Sequence, residues 1–131
     1  MDVDFAFLSD AAQESGGKLH AIGIGVDSLV SPQLPASRPL LVVVVQVRYS
    51  VAEVGPKELT VRVVDADGGN IIPPIDAQAE FGEPQPGMPG VARYVIELAA
   101  LAFEAYGDYA IHVAVGGHEV ANLPLSVRAP G

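Results

Sequence analysis

Apolar side chains recur at every second position along most of this chain, in short runs separated by clusters of Gly, Pro, Asp and Ser. This alternation is typical of strands that bury one face, and the spacing of the runs is that of a sandwich or barrel. No window sustains a helical period over the roughly ten residues that a helix prediction requires. The pattern therefore predicts an all-β fold, a two-sheet antiparallel sandwich of about eight strands.

Turn residues divide the chain into the predicted strands. These strands cover residues 3–8, 18–26, 40–49, 58–65, 71–72 with 77–81, 91–98, 111–115 and 118–128. Residues 11–17 are predicted to be a polar loop. Residues 31–39 are predicted to be a connection, because three prolines there cannot donate to a sheet ladder. The alanines of residues 99–105 favour one helical turn.

The strongest predicted strand, residues 40–49, is apolar on both faces in its first half. One of these faces begins with three aliphatic side chains: Leu40, Val42 and Val44. A strand with one wet side should alternate, so this second apolar face needs a cover. The cover is either internal, from the N-terminal segment or residues 31–39, or a second subunit, since symmetric dimers are the commonest assemblies. An internal cover is favoured, and the three residues stand as a possible homodimer interface.

The composition fits one domain over residues 1–131. A hydrophobic fraction of 50% is ample for one core, and 18% charged residues is low for a disordered chain. The absence of cysteine excludes disulfides, thiolate zinc sites, iron–sulfur clusters and a Cys nucleophile. Stability is therefore expected to come from packing alone, and no cofactor is predicted.

The charge balance narrows the expected partners and location. A net charge of −9 argues against nucleic acid as a partner, because backbone phosphates are bound chiefly by Lys and Arg. The N-terminal residues 1–10 carry acids where a secretory signal has Lys or Arg, which predicts a cytoplasmic protein. The longest apolar stretch, residues 40–45, is far shorter than the about 20 residues of a membrane-spanning helix, so no membrane partner is predicted.

Residues 65–70, Asp-Ala-Asp-Gly-Gly-Asn, are similar to the start of a calcium-binding loop, because calcium requires several oxygen ligands from one compact turn. A helix–loop–helix site also needs flanking helices, Gly at its sixth position, where Asn70 stands, and Glu at its twelfth, where Asp76 stands. The sequence meets none of these requirements. Asp-Gly between two apolar runs is a strong hairpin signal, so a plain turn is favoured.

The other residues that carry chemistry do not indicate an enzyme. The three histidines, His20, His112 and His118, lack carboxylates at the spacing of a metal site, although His112 and His118 are predicted to face each other across a hairpin. His20 is expected to bond a backbone group. No Gly-x-Ser-x-Gly nucleophile motif occurs. The chain is therefore predicted not to be an enzyme, with no catalytic, cofactor-binding or metal-ligating residue.

Gly107, Asp108 and Tyr109 precede an alternating strand, as in the tyrosine corner of Greek-key sandwiches, where a Tyr hydroxyl bonds nearby backbone. This favours an immunoglobulin-like topology. Residues 1–25, the turn at residues 65–74 and the Gly107-Asp108-Tyr109 segment together resemble a bacterial family of small β-sandwich proteins. That family has no assigned activity. The resemblance runs over nearly the whole chain and implies only the fold.

Two functional hypotheses follow from these patterns. The first is a non-enzymatic cytoplasmic structural or protein-interaction module, with a second copy of the chain among the expected partners, because the sequence has surplus aliphatic surface. The alternative is a small-ligand or cation-binding protein that uses three loops at one end of the fold, residues 65–70, 83–90 and 116–118, since loops on a rigid scaffold often carry function.

Overall fold

Ten β-strands and one short 3₁₀ turn make up the fold in the computed structural model, which describes residues 1–131. The strands are β1 (Asp2–Ser9), β2 (Ala11–Ser15), β3 (Lys18–Ile22), β4 (Ser28–Val30), β5 (Ala36–Tyr49), β6 (Gly55–Val64), β7 (Ile75–Phe81), β8 (Gly90–Phe103), β9 (Gly107–Val115) and β10 (His118–Arg128). The 3₁₀ turn spans Val51–Glu53. The all-β prediction is confirmed, and the structure holds no helix with the length and apolar character of a membrane span.

The strands form two larger sheets and a separate hairpin. The first sheet has three strands in the order β1-β5-β8, and the second has five in the order β4-β10-β9-β6-β7. The hairpin pairs β2 with β3. Neighbouring strands are antiparallel, except that β4 and β10 are parallel. The chain crosses between the larger sheets from β4 to β5, from β5 to β6, from β7 to β8 and from β8 to β9.

The core lies where side chains of both larger sheets meet in one cluster of 24 buried residues. From the first sheet come the odd-numbered side chains of β5 between Leu41 and Val47, which are fully buried. From the second come alternate side chains of β6 and β9, among them Val61 and Ile111. The period-two pattern places these side chains on one face of each sheet, as the sequence predicts, and burial of apolar surface of this kind is a stabilising contribution.

Residues 11–22 form a hairpin where the sequence predicts a polar loop and the start of a long strand. β2 and β3 are joined at Gly16 and Gly17, whose φ angles are 61° and 73°. Glycine adopts such backbone without steric cost, so the pair makes a tight hairpin turn. β3 ends earlier than predicted, at Ile22, because Gly23 turns the chain with a φ of 68°.

Two segments predicted to lie outside strands extend the central strands instead. β5 begins at Ala36, within the connection predicted for residues 31–39, and β8 continues to Phe103 through the predicted helical turn. Ala36 pairs with Phe103 and both are fully buried, so pairing and burial override the local preferences of proline and alanine. The ladder is interrupted only at Pro39, opposite which Ala100 has a φ of 55°.

Tyr109 makes the backbone contact that the sequence predicts for it. Its hydroxyl donates to the carbonyl oxygen of Ala105 at 2.7 Å. Its ring packs edge-on against the ring of Phe103, with 4.8 Å between the centroids. The buried hydroxyl is thereby satisfied, and the bond fixes the path of the chain as it enters β9.

Replacing Tyr109 with phenylalanine should lower the free energy of unfolding by about 1 kcal/mol, because the hydrogen bond is lost and the Ala105 carbonyl group loses this partner. The matched control is Tyr106→Phe, since the Tyr106 hydroxyl donates to the Ser31 carbonyl oxygen at 2.9 Å on the exposed surface. Urea unfolding of both variants measures the difference. An equal loss in the two variants would contradict a particular role for the buried bond.

Candidate functional site

The face of β5 that the sequence marks as a possible interface is covered within the chain. Val42 and Val44 are 1% and 0% exposed, and Leu40 is half-buried. In the sheet, Val44 lies between Phe7 of β1 and Val95 of β8. Val42 and Val44 therefore offer no accessible surface to a second subunit, and the internal cover is the alternative that the structure shows.

The cover over β5 is the β2–β3 hairpin. β2 contacts both β5 and β8, and the inner face of this sheet is filled by the core, so the hairpin crosses the outer face. The side chains of Leu19 and Ala21 are half-buried, whereas His20 and Ile22, on the other side of β3, are exposed. The N-terminal segment is thus the source of the internal cover.

Hydrogen bonds anchor the base of the hairpin to the first sheet. Arg38 of β5 donates to the carboxylate of Asp10, just before β2 begins, at 2.5 Å. Gly23 passes so close to this carboxylate that a Cβ atom there would overlap it. After the hairpin, the N–H of Gly25 donates to the Leu8 carbonyl oxygen at 2.9 Å. Both ends of the hairpin are therefore tied down beside β5.

Residues 65–70 form the plain turn that the sequence favours over a calcium loop. One carboxylate oxygen of Asp65 accepts the backbone N–H groups of Asp67 at 3.0 Å and of Gly69 at 2.9 Å. The N–H of Gly68 donates to the Asp65 carbonyl oxygen at 3.0 Å. The carboxylate that would begin a calcium loop therefore closes a turn by bonding nearby backbone.

The histidines are not brought together. His112 stands opposite Asn122 in the β9–β10 pair, while His118 lies at the start of β10, so the prediction that these two histidines face each other is wrong. The Nδ1 atom of His112 contacts the Glu119 carboxylate instead. His20 is exposed on the solvent side of the hairpin, without the backbone partner expected for it, because the face assumed to be buried is the outer one.

The three loops considered for ligand binding lie at two ends of the fold. Residues 65–70 follow the last residue of β6. Residues 83–90 follow β7, and residues 116–118 follow β9; both strands run antiparallel to β6. These two loops therefore lie where β6 begins, at the opposite end of the sheet from the turn. The single three-loop site expected from the sequence does not form.

A long free strand edge, which the sequence pattern does not reveal, runs along β8. β8 has 14 residues and pairs only with β5, so its other edge has no strand beside it. A groove of about 490 Å³ follows residues 93–97. It is lined by Gln13 and Glu14 of the hairpin and by Leu59 of the second sheet. Such an edge presents backbone N–H and carbonyl groups to which another strand can bind.

The outer face of β8 carries both signs of charge at this edge. Arg93 lies beside Gln46 of β5 and donates to its side-chain oxygen at 2.8 Å. Glu97 lies beside Val42 and takes part in none of the ion pairs of the chain. Val95 lies midway between the two charged residues. A sequence signal for this site exists in the alternation of Arg93, Val95 and Glu97, but it indicates an edge only once the strand order is known.

Tyr94 lies on the opposite face of β8 and also lines the groove. Its hydroxyl oxygen is buried and has no hydrogen-bond partner. Burial raises the pKa of the Tyr94 phenol, and the nearby Tyr49 raises it further. The hydroxyl of Tyr49, by contrast, donates to the Gly82 carbonyl oxygen at 2.6 Å. A buried hydroxyl without a hydrogen-bond partner lowers the stability of the folded state, so the Tyr94 hydroxyl is a destabilising group next to the open edge.

Carboxylates outnumber basic side chains in this chain. The chain has 16 Asp and Glu residues against seven Lys and Arg. Three of the arginines are held in ion pairs with aspartates: Arg38 with Asp10, Arg48 with Asp4 and Arg128 with Asp108. Because these three guanidinium groups are already paired within the chain, most of the unpaired charges that face a binding partner are carboxylates.

Fold and surface define this chain as a small all-β protein with one long open strand edge. Its sequence matches the family of unknown function DUF6941 over residues 4–128, and the protein belongs to that family. The resemblance to a family without an assigned activity is thereby confirmed. No curated protein matches the chain. Membership of this family assigns no chemical role to any residue.

Removing the hairpin should expose the aliphatic outer face of β5. We expect a variant in which a short Gly-Ser linker replaces residues 11–22 to bind an apolar dye strongly and to lose roughly 3 kcal/mol or more of stability, because Val42 and Val44 become wet. Dye fluorescence and thermal melting measure these effects. The control shortens the surface loop at residues 83–89, which precedes β8. Weak dye binding by the hairpin variant would show that another segment covers β5.

Replacing Tyr94 with phenylalanine should reduce the loss of stability at high pH. The folded chain holds the phenol proton at pH values where the unfolded chain has released it, so the wild-type protein loses stability as the pH rises above the ordinary tyrosine pKa of about 10. We expect Y94F to show a smaller fall between pH 8 and pH 11 in urea unfolding, and no loss at pH 8.

The control for this experiment is Tyr49→Phe, which removes a hydroxyl that is hydrogen-bonded in the wild-type protein. We expect Y49F to lose about 1 kcal/mol of stability at pH 8, because the Gly82 carbonyl group loses its partner. A fall at high pH that is as steep in Y94F as in the wild type would mean that Tyr94 is not the group responsible.

Proposed function

We propose that this protein is a non-enzymatic protein-interaction module of the cytoplasm and that it binds partners through the open edge of β8. The observation that carries the proposal is the 14-residue strand with a free edge and a groove along residues 93–97. In this mode of recognition, a partner strand joins the sheet: main-chain hydrogen bonds provide affinity, and contacts with alternate side chains provide specificity.

β8 is the sheet edge best suited to receive another strand. β4 has only three residues. β7 has seven and carries the acids Asp76 and Glu80. The edge of β1 is partly occupied, because the N–H groups of Gly25 and Val26 both donate to the Leu8 carbonyl oxygen. Short length, charge of a single sign and cover discourage strand addition at these edges, so β8 is the longest edge that remains open.

The side chains along the groove favour an extended segment of alternating character. Leu59 and Ile96 supply apolar contacts, and Arg93 and Glu97 supply one charge of each sign. A partner strand that alternates aliphatic and charged residues would bury the apolar groups and pair the charges. This requirement explains how an acidic protein can bind another protein without a basic patch.

The same proposal takes the two larger sheets as the layers of an immunoglobulin-like sandwich with Greek-key connections. Support comes from the core that both sheets share and from the repeated crossing of the chain between them. The bond from Tyr109 to Ala105 adds further support, because it resembles a tyrosine corner. A rigid scaffold of this kind would hold the β8 edge in a fixed geometry for binding.

A photo-crosslinking side chain placed on the β8 edge should capture a specific partner in the cells that produce the protein. Val91 is a suitable position, because it is 45% exposed on the outer face of β8. We expect irradiation to give one or a few discrete covalent products, which mass spectrometry identifies. The reason is that a strand added to β8 would lie within reach of this side chain.

The matched control places the same crosslinking group at Val30, a valine on the edge strand β4 that is 59% exposed. We expect no discrete product from this position. The same products from both positions, or none from Val91, would contradict binding through the β8 edge. A product that contains two copies of this chain would identify the partner as the protein itself.

A further inference from the structure

We propose that the partner of the β8 edge is a second copy of the same chain, with the two β8 strands antiparallel about a two-fold axis at Val95. This inference rests on the proposed function, since it names the partner of the same site. No strand is hydrogen-bonded to this edge, because β8 pairs only with β5. The result would be one continuous six-stranded sheet made from the two three-stranded sheets.

The charge pattern of β8 is complementary to itself. In an antiparallel pair centred on Val95, each residue meets the one that lies equally far from Val95 on the opposite side. Arg93 of one copy therefore stands opposite Glu97 of the other, and Glu97 opposite Arg93. Opposite charges directly across a strand pair are stabilising, and like charges there are destabilising. The two Val95 side chains at the centre face each other, and Val91 of one copy stands opposite Ala99 of the other. The outer face of the pair therefore contains no like-charge contact.

The regular part of β8 has nearly the same centre. Residues 90–99 pair without interruption with β5, and the next residue, Ala100, has a φ of 55° that disturbs the edge. A two-fold pair about Val95 joins residues 91–99 of the two copies, so it uses all of this stretch except Gly90 and excludes the disturbed residue. An isologous contact of this kind closes at two subunits and leaves no edge for further growth at this site.

The area of one added strand pair makes this a weak dimer. Interfaces of this size fall at the small end of those formed by specific complexes, and the net charge of −9 on each copy adds a general repulsion. We therefore expect dissociation in the micromolar range or above, and a monomer at high dilution. The two cross-strand ion pairs select the register rather than provide most of the affinity.

Charge exchange at the two edge residues tests the pairing. Sedimentation velocity on the full chain, from micromolar to millimolar concentration, gives the dimer Kd of the wild type, R93E, E97R and the double variant R93E/E97R. We expect each single variant to raise the Kd about tenfold, because two ion pairs become two like-charge contacts. We expect the double variant to restore the Kd to within about threefold of the wild type, because the charges are again opposite.

General charge repulsion predicts a different result. R93E makes the acidic protein more negative, and E97R makes it less negative. Repulsion alone would therefore raise the dimer Kd of R93E and lower that of E97R. The control E80R changes the net charge by the same amount as E97R, but on β7. We expect E80R not to raise the Kd. Thermal melting of every variant checks that the fold is intact. This check is most important for R93E and the double variant, because they lose the hydrogen bond from Arg93 to Gln46. E97R breaks no ion pair.

The outcomes separate this inference from the proposed function. A wild-type chain that stays monomeric at millimolar concentration, single variants with unchanged Kd, or a double variant as weak as the single ones would each overturn self-pairing about Val95. A monomeric chain that still gives a discrete crosslink from Val91 to a different, identified protein would retain the binding edge and overturn only the second copy as its partner.

Discussion

The burial of β5 on both of its faces is the constraint on which the rest of this structure depends. Its inner face packs into the core shared with the second sheet, and its outer face lies under the β2–β3 hairpin. A strand with aliphatic residues on both sides is stable only when two layers cover it. The hairpin is thus a third layer required by Val42 and Val44, and the bond from Arg38 to Asp10 holds it there.

The same arrangement explains why the open edge lies at β8. β5 has a strand on each side, whereas β8 has only one, and the hairpin reaches β8 without supplying a partner strand. The hairpin covers side chains on the outer face, but it does not bond the backbone groups at the edge of the sheet. A groove therefore remains between Glu14, Leu59 and the edge of β8. Cover of the face and closure of the edge are separate requirements, and this fold meets only the first.

Period-two burial made most of the strands predictable, because Leu41, Val61 and Ile111 each belong to runs whose alternate side chains enter the core. The hairpin is not predicted because β2 does not alternate: Glu14 pairs with the half-buried Leu19, whereas Ala11 pairs with the exposed Ile22. Gly16 and Gly17 are the only sequence signal of its turn. The extension of β8 to Phe103 depends on pairing with Ala36, a contact between residues distant in sequence. The open edge was not predictable for the same reason: an edge is a property of strand order, which short-range patterns do not contain.

A long open edge is a hazard, since unpaired strand edges promote aggregation. Charges of opposite sign at Arg93 and Glu97 limit this hazard, because most wrong registers place one of them against an aliphatic or like-charged residue. Ala100, with its left-handed backbone, further limits the length over which a foreign strand can pair regularly. The net negative charge opposes indiscriminate contact at longer range. An edge protected in this way favours a strand with matching charges over other strands, which is what the proposed selective binding requires.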